Sequence, residues 1–339
     1  MGLYLNPRND SFQQAINNPI YVDKSLLINY TNQLIGTGDN KLCVSRPRRF
    51  GKSTDANMLV AYYSKGCDSQ YIFDSLKISQ TDHYLKHLNK HHVIHINIQS
   101  FLSNTHNIDK MIQLLTARIL NEFKQEYSIT FFDETNLSLS LEDIYASTKN
   151  QFIFIIDEWD CIFREYKQDK EAQKQYLDFL RNLLKDKPYV ELAYMTGILP
   201  IKKYGTHSAL NMFEEISMID PGLLPEFMGF TEAEVQDLCI QYNVSYDEMK
   251  QWYDGYHLTD EISTFSPRSV VMSLTRKEFG NYWTSTETYE ALKFYIDINK
   301  DGLKDDVIKM LAGENVPVQT SSFQNDMSTF EVKDDVLTL

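Results

Sequence analysis

The sequence predicts an α/β fold: a mostly parallel sheet covered by helices on both faces, followed by a smaller, mainly helical domain. Three observations carry this. Short apolar runs alternate with amphipathic stretches of helical length across the first two thirds of the chain, the pattern of parallel strands with crossover helices. One run, Lys41–Ser45, enters a loop ending Gly51-Lys52-Ser53 and then a helix. Another, Gln151–Ile156, is apolar after its first residue and ends in Asp157-Glu158-Trp159-Asp160.

The loop is the organising stretch. In G-x-x-x-x-G-K-[ST] the backbone N–H groups cradle phosphates, the lysine reaches the β/γ-phosphates and the hydroxyl residue helps hold magnesium. Gly51, Lys52 and Ser53 fit, while Arg46 stands where the first glycine belongs. The acidic strand supplies the second half of a P-loop NTPase signature: an aspartate that holds Mg²⁺ and a neighbouring glutamate that polarises the attacking water.

The remaining elements follow in order. Asp23 or Ser25 can cap a helix through Leu26, Leu27 and Tyr30. Ser53 to about Lys65 is the helix after the loop, and a helix over 82–89 leads to a strand over 91–98. The histidines there lack a carboxylate or cysteine to complete a metal set, so they read as solvated or packed. Helices are expected over 107–127, 141–148 and 168–187, with strands over 190–197 and 215–219. Pro221 and Pro225 mark a boundary. Beyond it, Thr231 and Glu234 form a capping-box pattern, helices follow over 232–242 and 246–252, Trp252–His257 forms an aromatic turn, and Pro267 opens another helix.

Composition narrows the class. The 339 residues are 42% hydrophobic and 13% aromatic, enough for one large domain with a substantial core and a smaller one. A net charge of −14 argues against coating nucleic acid by bulk electrostatics, so any DNA contact has to be local. Cys43, Cys67, Cys161 and Cys239 are too scattered for a zinc site or a disulfide framework. No leader-like segment or membrane-length apolar run is present, so a cytoplasmic protein is expected.

Taken together, Tyr21–Ser25, Arg46–Ser53, Ile156–Asp160, Thr196–Lys203, Gly229–Thr231 and Trp252–Tyr256 resemble, in the same order, the bacterial AAA-ATPase-like family. Its members often continue into a PD-(D/E)XK nuclease-like domain. In that family an arginine-rich loop replaces the glycine-rich one, which makes Arg46 part of the pattern. Trp159 stands where tyrosine is more usual, and Met212 where a second asparagine is common. The nuclease-like portion would begin about where the sequence stops, so the chain is expected to be the nucleotide-binding part. Asp326, Glu331 and Lys333 spell D-x4-E-x-K, but at a spacing that favours a solvated hairpin over a nuclease core.

The expected division is 1–222 nucleotide domain, 223–300 helical lid-like domain and 301–339 linker or start of a further domain. Expected ligands are ATP and Mg²⁺. Backbone from Arg48 through Arg49, Phe50, Gly51, Lys52 and Ser53 to Thr54 holds phosphate, Lys52 neutralises charge, Ser53 and Asp157 hold the metal, and Glu158 is the base. Arg46, Arg48 and Arg49 either lock the loop by pairing with acids or contact phosphate or a partner. Thr196 either senses the γ-phosphate or is a strand-end hydroxyl bonded to backbone. Rival functions are a non-hydrolysing nucleotide switch for a C-terminal nuclease-like partner, and DNA binding through Lys202, Lys203 and the loop arginines.

Overall fold

The computed structural model describes residues 2–201, 210–259, 262–282, 300–312, 314–318 and 333–338. The chain forms two compact units. The first runs to Met228 without Arg48–Phe50 and Ile201–Ser208; the second holds those two segments and the chain from Gly229 onward.

The first unit is built on β1 (Lys41–Ser45), β2 (His92–Asn97), β3 (Phe152–Asp157), β4 (Val190–Gly197) and β5 (Glu214–Ile216), all parallel, in the order β2-β3-β4-β1-β5. Every residue of β3 is buried, as a strand covered on both faces must be. Around the sheet lie α1 (Asp10–Ile16), α2 (Leu26–Leu34), α3 (Lys52–Tyr63), α4 (Ile98–Thr105), α5 (Ile108–Glu126), α6 (Leu137–Thr148), α7 (Cys161–Glu165) and α8 (Lys170–Leu184). α5 shows how sequence chooses the buried face. Ile108, Met111, Leu115, Ile119 and Phe123 recur at helical spacing and are all buried, each worth about 1.5–3 kcal/mol of apolar transfer.

Several expectations shift. Neither Asp23 nor Ser25 caps α2 with its side chain. Asp23 instead accepts from the Ser25 and Lys77 amides and Ser25 from the Ile78 amide, pinning a neighbouring turn. The helix expected over 82–89 shrinks to Tyr84–His87, because Leu88 leaves helical geometry and Asn89 takes a positive φ.

In the second unit, β6 (Phe230–Thr231), β7 (Asp254–His257) and β8 (Ser263–Phe265) form an antiparallel sheet in the order β6-β8-β7 beside α9 (Glu232–Tyr242), α10 (Tyr246–Tyr253) and α11 (Pro267–Arg276). The capping box at Thr231 and Glu234 is complete. The expected aromatic turn is instead the end of α10 followed by β7; pairing with β8 extends the Asp254-Gly255-Tyr256-His257 backbone. Phe50, buried, meets Tyr256 edge to face at 5.5 Å between ring centroids. Lys333 begins a helix and pairs with Asp306, so it is not part of a hairpin. Asp326, Glu331, Lys202, Lys203 and the loop 205–208 lie outside the described residues. Among the described residues the four cysteines are free thiols, and no helix is long and apolar enough to cross a membrane.

Candidate nucleotide site

The topology brings the two motif halves together across an intervening strand. β4 lies between β1 and β3, with Thr196 in register with Val44 on one side and Asp157 on the other. The carboxyl ends of β1, β4 and β3 therefore converge, where open parallel sheets bind ligands.

Gly51 takes φ +85 immediately before α3, a left-handed conformation that costs glycine little. Asp55 donates the first intrahelical bond, to the Gly51 carbonyl at 3.0 Å, so the N–H groups ahead of it mark the positive end of a twelve-residue helix. Lys52 is 5% exposed, and its Nζ donates to the carbonyls of Arg46 (3.0 Å) and Pro47 (2.8 Å). Burial, then the nearby Arg46 charge, lowers its pKa to about 8.

Ser53 Oγ donates to Asp157 Oδ2 at 2.7 Å, joining the loop helix to the acidic strand. Asp157 is 3% exposed, and burial raises its pKa above the usual carboxylate range. Two groups that the motifs did not flag orient it. Asn97, opposite it at the end of β2, offers Nδ2 to Oδ2 at 3.4 Å while its Oδ1 accepts from the Ser100 amide and caps α4. The Glu158 amide donates to Oδ1 at 3.0 Å. The Ser53 hydroxyl and the Asp157 carboxylate are oxygen donors of the kind a magnesium ion takes, while the Asn97 and Glu158 N–H groups hold that carboxylate in place.

Glu158 has φ +54, and its carboxylate pairs with Arg164 of α7. Arg164 Nε also lies 3.3 Å from Asp160 Oδ2, which accepts the amides of Ile198 (3.1 Å) and Leu199 (3.0 Å) just beyond β4. Thr196 is fully buried, and its hydroxyl makes no hydrogen bond among the described residues, so the backbone-bonded alternative is not what the structure shows.

Arg46 takes the structural alternative. Its guanidinium is 2% exposed, pairs with Asp55 in the first turn of α3 and donates to the Phe227 carbonyl. Burial pushes the Asp55 carboxyl up, against the pull of Arg46. Arg48, Arg49 and Phe50 group with the second unit. Within the first unit the structure thus gathers Arg46, Lys52, Ser53, Asp157, Glu158 and Thr196. Asp55, Asn97, Asp160 and Arg164 were missed; an acid two places after the Gly-Lys-Ser and an asparagine closing a strand were the available signals.

Among known proteins, the family described as "Predicted AAA-ATPase" matches residues 10–206. An uncharacterised protein from the vnfD 5′ region of Azotobacter chroococcum mcd 1 is 26% identical over 279 residues, 79% of this chain and 51% of its own length. The chain thus spans about half the length of that curated relative. The Walker-type ATPase PABY2304 of Pyrococcus abyssi aligns over 88% of this chain and 77% of its own, at 13% identity and a TM-score of 0.40. The ORC2 protein of Aeropyrum pernix, solved as ADPNP-ADP complexes, aligns over 89% and 72% at 12% identity and a TM-score of 0.35. A family match over more than half of the residues, on a chain whose β1 loop and β3 acids meet at Ser53 and Asp157, places it: the chain belongs to the AAA-ATPase-like family.

Proposed function

We propose that the chain is a magnesium-dependent ATP-binding and hydrolysing P-loop module that couples its nucleotide state to a C-terminal nuclease-like partner domain. The observation that carries this reading is the 2.7 Å bond between Ser53 and Asp157, with the buried Lys52 ammonium on the same loop. The start of α3 holds phosphate through its N–H groups, and Lys52 offsets the phosphate charge. Ser53 and Asp157 would hold magnesium, which when bound neutralises charge on the β- and γ-phosphates. Glu158 orients water and accepts its proton, and Thr196 reports on the γ-phosphate. The proposed division keeps 1–222 as the nucleotide domain, 223–300 as a lid and 301–339 as the link onward, in a cytoplasmic protein.

A titration of ATP with and without magnesium tests the binding half. Lys52→Ala is expected to weaken ATP binding at least tenfold, about 1.4 kcal/mol, and Asp157→Asn to remove the magnesium dependence. Unchanged ATP affinity in Lys52→Ala would falsify the assignment.

One observation favours the second reading, a switch that binds nucleotide without hydrolysing it: the Glu158 carboxylate is engaged by Arg164. Tight ATP binding with no phosphate release under steady-state conditions would select that reading.

A further inference from the structure

Between the acidic strand and the segment after β4 lies an ion-pair cluster whose central cation, Arg164, belongs to no motif. Its guanidinium reaches two acids at once, Glu158 and Asp160, and is 11% exposed. The acids are unequally anchored. Asp160 is wholly buried and holds two backbone amides, whereas the Glu158 side chain is 26% exposed on a residue at positive φ. A non-glycine residue in that conformation is strained and persists only where its surroundings hold it.

From this asymmetry we propose that Arg164 is a positioning residue that restrains Glu158, and that hydrolysis requires Glu158 to leave Arg164 while Arg164 remains on Asp160. The proposal rests on the ATPase reading above. Releasing Glu158 does not strand a buried charge, because Asp160 still partners the guanidinium; that makes the exchange feasible in a partly buried site. Glu158 is near enough to matter, since it adjoins Asp157 and its amide donates to that carboxylate at 3.0 Å. Once free, its carboxylate takes a proton from water as the water oxygen bonds to the γ-phosphorus. The bond from that phosphorus to the β–γ bridging oxygen breaks, and ADP departs with the electron pair. Asp160 is also hydrogen-bonded to Ile198 and Leu199, next to Thr196, so a movement at the end of β4 alters the grip of Arg164 directly.

The test compares the ATP titration with steady-state phosphate release at saturating Mg-ATP. Arg164→Gln is expected to raise kcat about tenfold with ATP affinity within about twofold of the parent. Arg164→Lys keeps the charge but loses the planar fork and falls between the two. The double variant Arg164→Gln/Glu158→Gln is no faster than Glu158→Gln, which separates release of Glu158 from general loosening. A folded Arg164→Gln whose kcat equals or falls below the parent's overturns the proposal; if it does not fold, Arg164→Lys decides by the same criterion. No ATP binding by the parent overturns both this inference and the ATPase reading. Binding without hydrolysis in the parent and in Arg164→Gln alike overturns the restraint together with the hydrolytic half of the ATPase reading and leaves the switch, whereas equal, measurable kcat values in the two overturn the restraint alone.

Discussion

Arg46 and Asp55 form an ion pair with both side chains buried, tying the loop position of the missing first glycine to the first turn of the helix that the loop feeds. The arginine also donates to the Phe227 carbonyl, so one guanidinium spans three segments of the first unit. A glycine there would leave the loop free to bend; Arg46 and Pro47 fix it instead.

Removing one partner of this pair leaves an uncompensated buried charge. Arg46→Ala or Asp55→Ala is therefore expected to lower unfolding stability by about 3–5 kcal/mol. The double variant should cost less than the sum of the singles, as measured by denaturant midpoints in a double-mutant cycle. Additive losses would show that the two side chains do not act as a unit.

Lys52 yields a prediction with a definite sign. Its pKa, lowered to about 8 by burial and Arg46, lies below the unfolded value of 10.5, so keeping it charged costs stability. That penalty is full below pH 8 and disappears as pH rises through 10.5. Relative to Lys52→Met, the parent should gain roughly 2 kcal/mol between pH 7 and 9.5. Chemical denaturation of both proteins at the two pH values checks this, and a constant difference would contradict it. ATP affinity, in so far as it depends on the ammonium, should weaken above pH 8.

Gly197 closes β4 against the cluster. A Cβ there would meet Asp160 Oδ1 at 2.6 Å and Trp159 Nε1 at 2.7 Å, and both of those side chains are buried. Gly197→Ala should destabilise by about 1–3 kcal/mol through overpacking. A melting temperature equal to the parent's would mean that the neighbours yield without cost.

Three histidines are expected to weaken the fold in acid. Burial lowers His87, His92 and His95 to about 4, from 6.5 in the unfolded chain. The unfolded state then binds more protons between those values, so their contribution is complete above pH 6.5 and declines as pH falls toward 4. Each adds up to about 1.4 kcal/mol per pH unit to that slope. His95→Phe should flatten the acid side of a stability-against-pH curve, and an unchanged slope would place the proton uptake elsewhere.

Much of the architecture was readable before any coordinate. The wholly apolar run of β3, the spacing in α5 and the capping box at Thr231 translate directly into a buried strand, a packed helix and a helix start, because each depends on residues close in sequence. Asp23 and Ser25 misled for the opposite reason: a local cap competed with amides near residue 77 and lost. Asn97 and Arg164 were invisible as site residues because their roles come from register and from an ion pair that no motif encodes.

By itself the sequence determined the α/β class, the phosphate loop at Gly51-Lys52-Ser53 and the acids at the end of β3. These are fixed by periodicity and by side chains that the chemistry requires in order. Only the tertiary structure decided what the arginines do. Parallel pairing placed β4 between β1 and β3 and packed α3 against them, so Arg46 had to be neutralised inside the fold by Asp55. The turn after β3, in turn, put Arg164 within reach of both Glu158 and Asp160. A charge forced out of water takes the nearest opposite charge, and which one is nearest depends on the packed sheet.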